Sequence, residues 1–108
     1  MECSEKDWKL FRAKLPGWQE AYMKRLTEEY VEILNSDSPS SDKFWTLEKR
    51  LREDKRRCGV RADVRRSLLM VNIFSLLNEG AICLNDLDEF SDELKNAVKM
   101  HLEFNNQE

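Results

Sequence analysis

Residues that build tight turns and metal sites are scarce in this sequence. Its 108 residues include three glycines, two prolines and one histidine. An all-β domain needs many turns built on glycine and proline, so this composition favours a helical fold. A zinc site needs three or four closely spaced ligands, which one histidine and three scattered cysteines do not supply. We therefore expect an all-α fold without a metal or cofactor.

Cysteine usage and apolar runs also limit where the protein works. The cysteines are odd in number and their spacings match no disulfide framework, which predicts a reducing, cytoplasmic setting. The longest apolar stretch, from Leu68 to Leu77, has about half of the ~20 residues that span a bilayer. The first ten residues are too polar for a signal peptide. We expect no membrane span, and we expect Cys83 to be buried as a small apolar residue.

Hydrophobic periodicity predicts several helices separated by polar turns. Apolar spacing, turn formers and capping residues, among them Ser4 and Ser91, give their approximate bounds, which are 4–15, 16–34, 42–57, 62–78 and 91–104. Pro16 either separates the first two helices or kinks one long helix. A short turn within 85–89 should insert Leu87 and Phe90 into the core.

These elements predict a single domain, residues 1–108, folded as a compact all-α bundle. It has four main helices and one short helical turn. The segment 35–41 reads NSDSPSS, in which every residue is a turn former or competes with helix, so it is predicted to be a flexible inter-helix loop. The tail, 105–108, is expected to fray.

The helix 62–78, which Gly80 should end, is predicted to lie at the centre of the bundle. Its apolar residues, including Val64, Leu68, Val71 and Ile73, spread around more than one face. A helix with so broad an apolar surface needs neighbours on most sides. Replacing Leu68 or Ile73 by aspartate is therefore expected to unfold the chain.

The helix 42–57 should bury Phe44, Leu47 and Leu51, which recur at three- and four-residue steps. Trp45 lies about 100° around the helix from Phe44, at the expected edge of the core. Ser40 or Ser41 should cap the start of this helix, and Gly59 should end it in the left-handed conformation.

Candidate catalytic groups do not combine into a site. The basic neighbours of Cys58 could lower the pKa of its thiol, but the one histidine, His101, is distant in sequence. Three isolated glycines form no phosphate-binding loop. The acidic segment 86–89 lacks the pattern of a calcium-binding loop. We predict a non-enzymatic protein, with no small-molecule ligand identifiable.

Charge is distributed unevenly along the chain. Residues 1–42 carry a net charge of −3, and residues 43–78, with ten bases and four acids, carry +6. Residues 79–108, with eight acids and two bases, carry −6. The basic and acidic segments can neutralise each other within one molecule or between two. They can also form ordinary solvated surfaces.

Two kinds of partner fit this pattern. A protein partner or self-association is the first, with Trp45 as an anchor if it is exposed. Nucleic acid, bound by the basic segment 49–66, is the alternative, although the net negative charge and the interleaved acids disfavour it. The candidate interaction residues are Trp45, Arg56, Arg57, Arg61, Arg65 and Arg66.

Several short motifs resemble those of a group of small uncharacterised bacterial proteins of the Firmicutes type. The motifs are Lys43-Phe44-Trp45, Leu47-Glu48, Gly59-Val60, Arg65-Arg66-Ser67 and the run from Asp86-Leu87 to Lys95. The resemblance covers most of the chain and implies a compact helical domain, and it adds no site residue. Some members carry an automatic transporter label, with which the short apolar stretch of this chain disagrees.

Overall fold

Four α-helices make up most of the computed structural model, which describes residues 3–106. The helices are α1 (Glu5–Leu34), α2 (Ser40–Asp54), α3 (Leu69–Asn78) and α4 (Asp92–Asn106). A 3₁₀ turn, Arg66–Leu68, leads directly into α3, and a second one, Leu84–Leu87, stands alone before α4. The described residues contain no strand. The prediction of an all-α fold with four main helices and one short turn is confirmed. Residues 107–108 of the predicted tail lie outside the described part.

Helix α1 is continuous through Pro16, so the proline lies inside one long helix. Its start is capped as predicted, because the Asp7 backbone N–H donates to Ser4 Oγ at 3.1 Å. With 30 residues, α1 is about 45 Å long, close to the longest dimension of the molecule, 51 Å. Its first half packs into the core, and its second half extends beyond the core to pair with α2.

The hydrophobic core surrounds one face of α3. It joins α1, α3, α4 and the segment between α3 and α4 through ten side chains: Phe11, Leu15, Leu69, Ile73, Leu76, Ile82, Leu87, Phe90, Leu94 and Val98. Leu87 and Phe90 are buried as predicted. Ser91 caps α4 as predicted, because its Oγ accepts the Leu94 N–H at 3.2 Å.

The buried carboxylate of Asp7 joins the starts of α1 and α4. Its two oxygens accept the Ser91 backbone N–H at 2.9 Å and the Ser91 hydroxyl at 2.6 Å. Asp7 is only 2% exposed, and these hydrogen bonds supply the partners that a buried carboxylate requires. The two helix ends are therefore fixed to each other by polar contacts at the margin of the core.

The central helix is shorter and more one-sided than predicted. Helical structure begins with the 3₁₀ turn at Arg66, so residues 62–65 are not helical. The Asn72 side-chain amide donates to the Asp63 carbonyl at 3.0 Å, which holds this preceding segment alongside α3. Val64 is exposed in the non-helical segment, and Val71 is exposed because neighbours cover one face of α3 and leave the other open. Gly80 ends the helix with a φ of 75°, as predicted.

Helix α2 also ends earlier than predicted, at Asp54, and Gly59 does not take a positive φ. The α-helical pattern is lost at Arg56 and Arg57, whose N–H groups donate to the carbonyls three residues earlier, at 3.3 and 3.1 Å. The Glu79 carboxylate holds the turn that follows, because it accepts the backbone N–H groups of Cys58 at 3.0 Å and Gly59 at 3.1 Å. At the other end Pro39 occupies the N-cap position without a side-chain cap, so neither Ser40 nor Ser41 caps α2. Cys83, predicted to be buried, is exposed.

Gly59 is required for close packing. A Cβ added there would lie 2.3 Å from Cδ2 of the buried Tyr22 ring, whereas a Cβ on Gly17 meets nothing within 4 Å. We expect Gly59→Ala to lower the free energy of unfolding by about 1–3 kcal/mol, because the buried Tyr22 ring would have to shift. Gly17→Ala, inside α1, should raise it by about 0.5–1 kcal/mol. Urea denaturation of both variants tests this, and equal effects at the two sites would contradict it.

Candidate interaction surface

Helix α2 is attached to α1 by a polar cluster centred on Asp54. Asp54 is 3% exposed and is the one buried residue of α2, all of whose residues are described. Its carboxylate accepts the Tyr30 hydroxyl at 2.5 Å and lies 3.3 Å from Arg57 Nε and 3.6 Å from Arg50. Arg50 also pairs with Glu29 at 3.0 Å and places its guanidinium 5.7 Å from the centre of the Tyr30 ring.

The protonation of Tyr30 follows from this environment. Burial raises the pKa of Tyr30 to about 12, and the hydrogen bond to Asp54 and the negative charge of that carboxylate add to the rise. The phenol therefore stays protonated at physiological pH and donates to Asp54. This hydrogen bond joins α1 to α2.

The apolar side chains of α2 are not buried. Phe44 and Trp45 are each 64% exposed, Leu51 is exposed, and Leu47 is half-buried. The two aromatic rings pack edge to face with their centres 5.1 Å apart. The prediction that Phe44 and Leu51 are buried is wrong, because α1 packs against the side of α2 that carries Asp54, and these two side chains lie elsewhere around the helix. Trp45 lies further out than the core edge where the sequence placed it.

The end of α1 adds two more exposed apolar residues, Val31 and Leu34, beside the loop that leads into α2. We define the hairpin face as the five exposed large apolar side chains of the paired helices. They are Val31, Leu34, Phe44, Trp45 and Leu51. Half of the ten exposed large apolar residues described in the molecule thus belong to one pair of helices.

Charges of both signs flank Trp45 on the outer side of α2. An open depression of about 470 Å³ there is lined by Trp45 and by Glu48, Lys49, Arg52, Glu53 and Arg56. Glu48 and Arg52 form an ion pair one helical turn apart. The surface around the tryptophan is therefore mixed in charge.

The six predicted interaction residues do not form one surface. Trp45 and Arg56 line the same depression on α2. Arg57 is drawn to Asp54, Arg65 is paired with Asp63 at 2.6 Å, and Arg61 is exposed at the turn after α2.

Arg66 lies at the other end of the molecule from Trp45. It bonds Glu5 at 2.8 Å and the Cys3 carbonyl at 2.9 Å, at the start of α1. Trp45 lies near the opposite end of α1, a helix about 45 Å long.

The basic segment and the acidic segment do not neutralise each other through ion pairs in the described residues. Bases of 43–78 pair with acids of α1 or of their own segment, as Arg50 does with Glu29 and Arg65 with Asp63. Acids of 79–108 pair with Lys14 and Lys95 instead. Hydrogen bonding to Arg65 lowers the pKa of Asp63, and the reciprocal contact raises that of Arg65.

Cys58 and His101, the candidate catalytic residues of the sequence, contact other side chains of the fold. Burial and the nearby Glu79 charge raise the pKa of the Cys58 thiol, opposite to the lowering that its basic neighbours suggested. The Cys58 Sγ lies 3.7 Å from Asn72 Oδ1. His101 stacks on Phe74, with ring centres 3.9 Å apart. Among residues 3–106, no cluster of His, Cys, Asp and Glu is placed to hold a metal ion.

Sequence reasoning did not identify Tyr30, Asp54 and Glu79, whose side chains hydrogen-bond to segments distant in the sequence. A tyrosine within an apolar stripe needs a hydrogen-bond partner when it is buried, and this was the available signal for Tyr30.

Within the described chain, no helix has the length and apolarity to cross a membrane. Comparisons of the chain with known protein families, with curated proteins and with solved structures gave no match.

Proposed function

We propose that this chain is a small, non-enzymatic protein-interaction module and that the hairpin face is its binding surface. The observation that carries the proposal is that α2, a helix of 15 residues, buries none of its apolar side chains and exposes both of its aromatic ones. An isolated helix of this length is marginal in water, and most helices in proteins are stabilised by packing an apolar face. A partner on the hairpin face would provide that packing.

The composition of the hairpin face supports a protein partner. Exposed aromatic residues beside charges of both signs are typical of interface anchors and their polar rim. The proposed location is the cytoplasm, which the free state of all three cysteines, each in the described part, supports. The nucleic-acid alternative, based on segment 49–66, is less favoured, because Arg57, Arg65 and Arg66 have acidic partners.

A photoreactive residue at position 45 tests the proposal. A benzoylphenylalanine in place of Trp45 keeps an aromatic group on the hairpin face, and the same residue in place of the exposed Glu20 of α1 is the matched control. After irradiation in the producing cells, we expect a discrete protein adduct from position 45 and none from position 20. The same adducts at both positions, or none at either, would contradict the proposal. An adduct to RNA or DNA would instead support the nucleic-acid alternative.

A further inference from the structure

We infer that α1 contains a hinge at Pro16–Gly17 and that Glu79 is the latch that holds the α1–α2 hairpin against the core. The hairpin unit is defined as residues 19–59, which are the second half of α1, helix α2 and the turn that follows it. The core unit is residues 3–15 and 60–106. With the latch open, bending at the hinge swings the hairpin unit, and the hairpin face with it, without unfolding either unit.

Pro16 and Gly17 lie side by side in the middle of a continuous helix, where they favour bending. Pro16 has no N–H, so the Arg12 carbonyl receives no α-helical hydrogen bond from it. Gly17 lacks the side chain that restricts backbone rotation. Its surroundings do not require a glycine, because an added Cβ would meet nothing within 4 Å and its φ is not positive. Both residues are exposed, so neither is held by packing.

The buried residues beyond the hinge pack within the hairpin unit. Tyr22 and Leu26 are buried, but neither belongs to the ten core side chains. The Tyr22 ring lies against Gly59, and Leu26 lines a cleft together with Arg50 of α2. Helix α1 therefore divides into a first half that packs in the core and a second half that packs on α2 and its turn.

Trp18 lies at the boundary and moves little when the helix bends. Its ring stacks on Phe90 of the core unit, with ring centres 6.2 Å apart. It follows Gly17 directly, so a bend of about 20° shifts its backbone by less than about 1 Å. The same bend shifts the end of α1, about 26 Å from the hinge, by about 9 Å. The core can therefore keep its contact with Trp18 while the far end of the hairpin unit swings.

Glu79, at the C-terminal end of α3, makes the strongest polar contact between the two units. Its carboxylate accepts the backbone N–H groups of Cys58 at 3.0 Å and Gly59 at 3.1 Å. Hydrogen bonds to an ionised acceptor are about twice as strong as those between neutral groups. The Cys58 thiol adds a longer contact of 3.7 Å to Asn72. One side chain of the core unit thus holds the turn that ends the hairpin unit.

The other polar contacts between the units are easily replaced by water. Arg25 donates to the Gly80 carbonyl at 2.5 Å, and both residues are exposed. Each ion pair of the described residues lies within one unit. Removing the Glu79 carboxylate should therefore release the hairpin unit.

Double electron–electron resonance between two spin labels measures the swing. Nitroxides attached to p-acetylphenylalanine at the exposed positions Glu32 of α1 and Lys99 of α4 leave the three cysteines unchanged. Glu79→Ala should add distances displaced by up to about 9 Å that the unsubstituted chain lacks. The matched control is Glu89→Ala, which removes an exposed carboxylate paired with Lys14 inside the core unit and should leave the distances unchanged.

A second substitution tests the position of the hinge. In the Glu79→Ala chain, Pro16→Ala with Gly17→Ala restores the missing helical hydrogen bond and stiffens the backbone, so the distance distribution should narrow again. Thr27→Ala, at an exposed position of α1 beyond the hinge, is the matched control for helix propensity and should leave the distribution broad. A distribution that stays broad after both hinge residues are replaced overturns the hinge.

The remaining outcomes test the latch and the rigidity of the hairpin unit. Labels at Glu32 and Lys49, both within the hairpin unit, should keep one narrow distribution, and broadening there overturns the rigid-body swing. An unchanged distance between positions 32 and 99 in folded Glu79→Ala overturns the latch. If circular dichroism shows that this variant does not fold, Glu79→Gln, which keeps one acceptor oxygen and loses the charge, is measured against the same criteria. A rigid chain would still present the hairpin face, which crosslinking from position 45 tests separately.

Discussion

Ile73→Asp is expected to leave the chain unfolded at 25 °C and neutral pH. Ile73 is 0% exposed, at the centre of the core on α3. Removing its side chain alone costs about 2–5 kcal/mol. The new carboxylate adds the cost of a buried charge without a partner, since the residues around it are apolar. The total approaches the whole stability of a domain of this size, about 5–15 kcal/mol. Far-UV circular dichroism with urea titration measures the outcome.

The neighbouring positions supply graded controls for this substitution. Val71, two residues earlier on the same helix, is 56% exposed, so Val71→Asp should change the free energy of unfolding by less than about 1 kcal/mol. Leu68 is half-buried in the 3₁₀ turn, and Leu68→Asp should fall between the two. The sequence pattern predicts equal damage at Leu68 and Ile73. If Val71→Asp unfolds the chain as Ile73→Asp does, the exposed face of α3 is not exposed in solution.

Local patterns in the sequence predict the core and its caps well. The insertion of Leu87 and Phe90 into the core is predicted correctly, and Ser4 and Ser91 are recognised as caps. These features depend on residues a few positions apart, which is the range over which helix geometry relates sequence to structure. The same reasoning identifies Gly80 as the end of α3, since the left-handed conformation there favours glycine.

Contacts between distant residues account for what the sequence did not predict. Glu79 holds the turn after α2 by accepting N–H groups 20 and 21 residues before it, and no periodic signal marks such a contact. Tyr30 and Asp54 are 24 residues apart, and either could equally have faced water.

Periodicity also shows which face of a helix is apolar without showing which molecule covers it. Phe44 and Leu51 have the spacing of buried residues, and they are exposed because α1 packs against the side of α2 that carries Asp54. Of the six candidate interaction residues, Trp45 and Arg56 share a surface. Arg57 and Arg65 pair with acids two or three residues away, whereas Arg66 pairs with the distant Glu5.

Asp54→Ala is expected to detach α2 from α1 while the core stays folded. Asp54 is the acceptor for Tyr30 and the counter-charge for Arg50 and Arg57. Removing one partner of a buried ionic cluster typically costs about 3–5 kcal/mol. No core side chain belongs to α2, so little else resists its release. The loss should therefore be local to the hairpin.

Native-state hydrogen exchange resolves this difference between helices. In Asp54→Ala, protection of the α2 amides should fall at least about a hundredfold, the equivalent of about 3 kcal/mol, while the α3 amides keep their protection. Glu53→Ala, at the exposed neighbouring position, is the matched control and should leave both helices protected. Equal loss of protection in α2 and α3 would show instead that the hairpin and the core unfold as one unit, and the polar cluster would then be part of the global stability of the chain.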